Sequence, residues 1–343
     1  MRSVWLSIAV GVFCATALSA PNPLFAQPSD SASAVKPEII SQALMEKVRR
    51  AAELPIASQE LVITQHVDYF PMGLGVQPVL PMTTLIEWTG SDRGPAKLSV
   101  FESVEDLNLS AAVTEQALEV KWDGHRLSWE RNGDLNPGQY LWRVAVHDGE
   151  GTVIASAEKK IVVDPPQQNA IDASSLIVGK SCEEQGPAVD GLRRRTKDNP
   201  NEDDQTHSQI DPMRAVGCRI KPEASDRFVS TDRLHAFVRI YPSEKFARHR
   251  PESWTAKFIL RSKNDPVSTE KEIPFRVDSA SGYLAYVEIS LDTPGMNPGN
   301  YTLDVIMHGP GIRDELDRSR SISIQPRAVV EKDAAYPARK AMN

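Results

Sequence analysis

A six-residue phrase occurs twice in this 343-residue chain and constrains its fold more than any other feature. Leu135-Asn136-Pro137-Gly138-Gln139-Tyr140 leads into the alternating run Leu141-Trp142-Arg143-Val144-Ala145-Val146-His147. Met296-Asn297-Pro298-Gly299-Asn300-Tyr301 leads into Thr302-Leu303-Asp304-Val305-Ile306-Met307-His308. A Pro-Gly pair makes a tight turn, and alternation of apolar and polar residues is the period of a half-buried strand. A tyrosine placed where that strand begins can return its hydroxyl to the preceding turn and pin the corner of a two-sheet sandwich. The duplication predicts an all-β chain with two β-sandwiches, Tyr140 and Tyr301 being the tyrosine corner of each.

The same period runs through the rest of the chain. Leu61, Ile63, His66 and Val67 read as a first strand, and strand signals follow at 85–88, 98–101, 118–122, 127–129, 140–146 and 153–163, separated by Gly, Pro, Asp and Asn. Seven short strands make one sandwich over residues 55–164. A Pro and Gln linker, 165–173, leads to a second sandwich over 174–326, with strand signals at 216–220, 234–241, 254–260, 273–277, 283–291, 301–307 and 321–324. Within it, residues 183–211 form a polar insertion too poor in apolar side chains to bury itself. Residues 327–343 read as a polar tail. After the first Pro-Gly turn, Tyr140, Trp142, Val144 and Val146 face one way and Arg143 and His147 the other. Trp88, Trp122, Trp129 and Trp142 all fall in the first sandwich, where aromatic residues on strands are expected mainly to fill the core.

Arg2 and the apolar run 4–18 make residues 1–26 a signal peptide, the run being too short to span a bilayer. Cleavage is expected after Ala26, with Leu24 and Ala26 ahead of the cut. Residues 27–54 read as a flexible leader followed by one amphipathic helix at 38–52: Pro37 can start it, and Ile39, Ile40, Ala43, Leu44, Val48 and Ala51 share a face. That face must dock on the first sandwich or on a partner. No later stretch reaches the roughly 20 apolar residues of a membrane span, so the expected location is the periplasm, the cell surface or the medium. Loss of Arg2 takes the net charge from -7 to -8, a mildly acidic balance that argues against nucleic acid and anionic lipid as main ligands. Beyond residue 26 only Cys182 and Cys218 remain, and in an oxidising compartment such a pair predicts a disulfide; two buried thiols that never meet are the alternative. If 176–180 and 216–221 pair, the bond closes the base of the polar insertion.

The spacings that carry enzyme chemistry are missing. The sequence has no Gly-x-Ser-x-Gly, no His-Glu-x-x-His, no phosphate-binding glycine loop and no Cys-x-x-Cys. Ser268-Thr269-Glu270-Lys271 matches Ser-x-x-Lys only in an expected hairpin turn, and no two of the seven histidines are spaced as zinc ligands on one element. Asp172-Ala173-Ser174-Ser175 resembles the metal-binding Asp-x-Ser-x-Ser of von Willebrand factor A-type domains, but Leu176 stands where the second serine is required. Asn199, Asn201, Asp203 and Asp204 offer hard oxygen donors without the glycine of a calcium loop, and Arg193 to Arg195 are balanced by nearby acids. The reading is of no enzyme, no cofactor and no metal.

Residues 69–81 are apolar yet broken by Pro and Gly, a poor strand and a costly loop to leave in water. Something must cover them: the first core, the helix, or a partner for which Tyr69, Phe70, Met72 and Leu74 are the candidate binding residues. The first sandwich resembles bacterial fibronectin type III-like modules, through Leu85-Ile86-Glu87-Trp88, Leu98-Ser99-Val100-Phe101-Glu102 and Pro137-Gly138-Gln139-Tyr140-Leu141-Trp142-Arg143-Val144. The second resembles the accessory sandwich that accompanies von Willebrand factor A-type domains in some secreted bacterial proteins, through Ser175-Leu176-Ile177-Val178, residues 234–241 and Asn297-Pro298-Gly299-Asn300-Tyr301. The resemblance implies two tandem immunoglobulin-like or fibronectin type III-like β-sandwiches, preceded by a signal peptide and one short helix. It implies a non-catalytic role, in protein–protein interaction or as an accessory or structural component of the cell envelope. The partner expected is another envelope or extracellular protein. A carbohydrate-binding module stacking sugars on Trp88, Trp122 or Trp129 is the alternative.

Overall fold

The computed structural model describes Lys36–Pro37 and, from residue 58 to residue 327, everything except 59, 73–76, 92–93, 95–97, 121, 123, 148–151, 166–170, 184–210, 264–267, 279–281, 294–295 and 313–315. The signal peptide, the helix at 38–52, Leu74, most of the insertion and nearly all of the tail lie outside the described residues. Among those described, the one helical element is a single 3-10 turn at Pro251–Ser253.

Eight strands build the first half: β1 (Lys36–Pro37), β2 (Leu61–Val67), β3 (Leu80–Trp88), β4 (Leu98–Asp106), β5 (Ala111–Val120), β6 (Arg126–Gly133), β7 (Gly138–His147) and β8 (Val153–Val163). A three-stranded sheet, β2-β3-β6, faces a sheet in the order β1-β5-β4-β7-β8. The chain passes between the sheets in pairs, β2-β3 in one, β4-β5 in the other, then β6 back in the first and β7-β8 in the second, as a Greek-key sandwich does. Tyr140, Trp142, Val144 and Val146 project from β7 into a core with Leu61, Met82, Ile86, Val100, Val104, Trp122 and Trp129. Full burial of each large side chain contributes about 1.5–3 kcal/mol. One carboxylate shares this core: Glu102 is fully buried and accepts hydrogen bonds from the Trp142 indole N–H at 2.7 Å and from Gln116 Nε2 at 2.6 Å.

The second half comprises β9 (Ile171–Ala173), β10 (Ile177–Glu183), β11 (Arg214–Ala215), β12 (Cys218–Pro222), β13 (Arg227–Val229), β14 (Arg233–Pro242), β15 (Thr255–Ser262), β16 (Ser268–Pro274), β17 (Arg276–Val277), β18 (Tyr283–Ser290), β19 (Gly299–His308) and β20 (Asp317–Gln325). One sheet runs β11-β12-β10-β14-β18-β17 with β9 also on β14, and the other runs β13-β20-β19-β15-β16. The short β13 lies parallel to β20; the other pairings are antiparallel. Tyr301, Leu303, Val305 and Met307 of β19 enter the second core beside Val238, Ile240, Trp254 and Phe258. The fold is thus all-β, two tandem immunoglobulin-like sandwiches.

Several sequence expectations need correction. Lys36 and Pro37, expected in the leader just ahead of the helix at 38–52, pair antiparallel with Glu119 and Leu118 at the outer edge of β5, where proline's missing N–H is tolerated. The expected linker ends sooner, because Ile171–Ala173 pairs with β14 and buries Ile171 and Ala173 in the second core. The insertion's two ends belong to the folded part: Glu183 pairs with Arg219, and Asp211 accepts the Met213 N–H at 3.0 Å. His147 is only 2% exposed, unlike its counterpart His308, which faces solvent.

Candidate functional site

The chemistry-bearing residues of both halves converge where the sandwiches meet. Beyond β2 the chain forms a short hairpin in which the N–H of Phe70 donates to the carbonyl of Val79 and the N–H of Val79 to that of Phe70, both at 2.9 Å. Within it Met72 has a φ of +57°, unusual outside glycine. Tyr69 grips the second half through two reciprocal bonds: its N–H donates to Ser175 Oγ at 2.9 Å, and the Ser175 N–H donates to its carbonyl at 2.8 Å. Phe70 and Met72 are thereby placed in a third apolar cluster with Ile177, Met213, Ala215, Ile220, Phe237, Tyr241 and Leu284. β14 makes this possible by burying both faces: Leu234, Ala236, Val238 and Ile240 serve the second core, while Phe237 and Tyr241 serve the junction.

Arg239 shares that second face and has no exposed surface. A charge so placed requires full pairing. Its Nε donates to Asp278 Oδ2 at 2.7 Å, and its two terminal nitrogens donate to the carbonyls of Pro212 and Arg214. The guanidinium lies 5.0 Å from the Phe237 ring centre and 5.7 Å from that of Phe70, within cation–π range of both.

Ion pairs flank the apolar plug. Leu127 and Trp129 of β6 point into the first core, so Arg126 and Glu130 point out, toward the second half. Arg126 meets Glu223 at 2.6 Å, and Glu223 is also held by Lys180 at 2.8 Å. Arg219 bridges Glu130 at 2.6 Å and Asp211 at 2.9 Å. Asp68 is 1% exposed; its Oδ1 takes His66 Nε2 at 3.0 Å and lies 3.9 Å from Arg320. Burial pushes the Glu130 carboxyl up to about 7 despite Arg219. Glu223 is shifted down, its own desolvation being outweighed by Lys180, Ser225 and Arg126.

The candidate partner residues divide accordingly. Phe70 and Met72 are covered by the second half of their own chain, which answers the question of what shields residues 69–81 and withdraws both from a partner in this arrangement. Tyr69 is half-buried and lines a cleft of about 310 Å³ with Val67, Leu80, Lys160, Ile161, Val162 and Asp164. Burial, followed by Asp172 and Asp164, raises its hydroxyl to about 12, so it stays protonated as a hydrogen-bond donor. Tyr140 donates its hydroxyl to the Asn136 carbonyl at 2.8 Å and Tyr301 to the Asn297 carbonyl at 2.7 Å. Cys182 and Cys218 form the disulfide, with Cα atoms 5.3 Å apart. The sugar platform is corrected: Trp122 and Trp129 are 9% and 8% exposed and face the core, leaving only Trp88 partly open.

Ser174 and Ser175, weighed as metal ligands, are structural. Ser174 Oγ accepts the Arg239 N–H and Ser175 Oγ that of Tyr69. Among the described residues no group of three His, Cys, Asp or Glu side chains is placed to hold a metal ion. Sequence reasoning missed one surface. At the β4–β5 hairpin, Leu107 and Leu109 are 37% and 75% exposed on a turn fixed by Asp106 Oδ1 accepting the N–H groups of Asn108 and Leu109, and Val113, early in β5, is 46% exposed. Its only sequence signal was two leucines beside a turn-forming Asp-Leu-Asn.

No protein-family model and no curated protein matches the chain. Among solved structures it is similar to the chicken interferon gamma receptor alpha chain, at 9% identity and TM-score 0.21, over 78% of this chain and 98% of that one. It is similar to CBD12 from CALX1.2 at 10% identity and TM-score 0.19, over 66% and 73% of the two chains. A biofilm-associated protein BSP domain is matched at 10% identity and TM-score 0.21, over 82% of this chain and 54% of that one. Among the described residues no helix is long and apolar enough to cross a membrane.

Proposed function

We propose that this is an exported, non-catalytic protein whose two sandwiches form a scaffold for binding another envelope or extracellular protein through the β4–β5 hairpin. The domains are residues 55–164 and, with the strand Ile171–Ala173 counted in, 171–326, preceded by a signal peptide at 1–26. The observation that carries the reading is the exposure of Leu107 and Leu109 on one pinned turn, with Val113 also exposed on the β5 strand that leaves it. Apolar side chains gathered on a surface mark an interaction site far better than single exposed ones do. The turn needs little ordering on binding, because Asp106 holds two of its N–H groups and the Leu107 N–H donates to the Gln139 carbonyl at 2.9 Å.

In-cell photo-crosslinking tests this. A photoreactive residue at position 109 of the full chain is expected to trap one discrete protein in the cell envelope fraction. The same residue at Val277, which is 75% exposed on the other sandwich, is expected to trap none. Equal labelling at both positions would reject the hairpin as a docking site, and a chain that stays in the cytosol with residues 1–26 intact would reject export.

A further inference from the structure

The surface that receives the first sandwich is mounted on the strands that the disulfide joins. Cys182 is the last residue but one of β10 and Cys218 begins β12, and the two strands pair with Cys182 opposite Ile220. Arg219, the next residue, holds Glu130 of the first half. Met213, Ala215 and Ile220 wall the cluster that takes Phe70 and Met72. The carbonyls of Pro212 and Arg214, on the same hairpin, accept from Arg239, the guanidinium over the Phe70 ring. The strand pairing that holds this hairpin is short and irregular. β11 is two residues long and sits at the sheet edge, and the β10–β12 ladder shifts register between Gly179 and Ser181. At that shift a Cβ on Gly179 would lie 2.3 Å from the Lys221 carbonyl oxygen, so the strands meet there on a bulge only glycine allows.

We infer that oxidation of Cys182 and Cys218 is coupled to docking of the two sandwiches: the bond holds the β11–β12 hairpin where it can receive Phe70, Met72 and Glu130. The oxidised chain is docked, and the reduced chain is two folded sandwiches on a tether. The reducing step is ordinary exchange. A dithiol gives two electrons and two protons to the two sulfurs and leaves as its own disulfide. Cys182 is partly exposed, giving the reagent a point of attack, whereas Cys218 is 8% exposed. The inference does not rest on the proposed partner site, whose residues Leu107, Leu109 and Val113 it does not use.

Hydrogen exchange by mass spectrometry on the full chain, oxidised and reduced by a small dithiol under native conditions, tests the coupling. Reduction is expected to speed exchange about tenfold or more at the reciprocal amides of Tyr69 and Ser175, while peptides from β7 and β14 keep their protection. Unchanged protection at Tyr69 and Ser175 would overturn the coupling. Loss of protection in β14 as well would reduce the bond to a staple of the second sandwich and overturn it equally. Linkage supplies a second readout, since two coupled equilibria influence each other by the same factor. Phe70→Ala, with both cysteines intact, is expected to shift the thiol–disulfide equilibrium against glutathione toward the thiols by roughly 5-fold or more. No shift would sink the inference even if the double Cys→Ser chain failed to fold.

Discussion

Arg239 illustrates at the scale of one residue what alternation alone conceals. In Arg233-Leu234-His235-Ala236-Phe237-Val238-Arg239-Ile240-Tyr241 the odd positions read as the wet face of a half-exposed strand, because Arg there is ordinarily solvated. The face is dry because Phe70, far away in sequence, covers it. No local period reports such a contact. Its partner Asp278 is correspondingly valuable: Asp278→Asn leaves a buried guanidinium without its counter-charge and is expected to cost about 3 kcal/mol in urea unfolding. The tyrosine corners were legible and are cheaper to break. Tyr301→Phe removes one hydroxyl donor to the Asn297 carbonyl and should cost about 1 kcal/mol. A Tyr301→Phe loss matching that of Asp278→Asn would show that the corner, not the buried charge, holds the second sandwich together.

At the scale of elements, the long strands of each sandwich and the cysteine pairing could be read from the sequence, since they rest on local patterns and on a compartment rule, but the strand number could not: seven were expected in each half where the described residues hold eight and twelve. Ile171–Ala173 could not, being three residues set among Pro, Gln and Asn, stabilised as a strand only by pairing with β14. The β11–β12 hairpin was half legible. Its turn is Val216-Gly217 with φ of +48° and +86°, a left-handed pair for which Asn-Gly is the preferred sequence. A β-branched residue there is strained, and Val216 is also 66% exposed, so it gains little from packing. Val216→Asn is therefore expected to stabilise the protein by about 1 kcal/mol, seen as a higher urea midpoint at unchanged slope. A neutral or destabilising result would mean that Val216 makes contacts that offset its strain. Beyond its hold on the hairpin, the disulfide a few residues away also constrains the unfolded chain. Closing a loop with a sequence separation of 36 is worth about 4 kcal/mol in the entropic estimate, so the double Cys→Ser chain should lose stability of that order in the same assay.

For the whole molecule the open question is what tunes the hold of one sandwich on the other, and the flanking carboxylates pull in opposite directions. Glu130 has its pKa raised to about 7 by burial, so the docked state favours its neutral form. Its contribution is fully present below the unfolded value near 4.5 and is lost as pH rises through about 7. Glu223 is shifted down, so its contribution is present above the ordinary carboxylate range and is lost only on acidification below it. Between the two lies a window, roughly pH 5 to 6, in which both favour the docked state. Calorimetric melts of the full chain should therefore show a maximum there and a decline toward pH 8.5. Glu130→Gln keeps the shape and removes the charge, while Asp211 still pairs with Arg219. It should flatten the alkaline decline and, at pH 8, gain on the order of 2 kcal/mol over the native chain. The reverse outcome, a native chain that strengthens up to pH 8 and a weaker Gln variant, would mean that the 2.6 Å contact with Arg219 outweighs the desolvation of Glu130. The junction would then be fastened by charge rather than by the apolar plug of Phe70 and Met72.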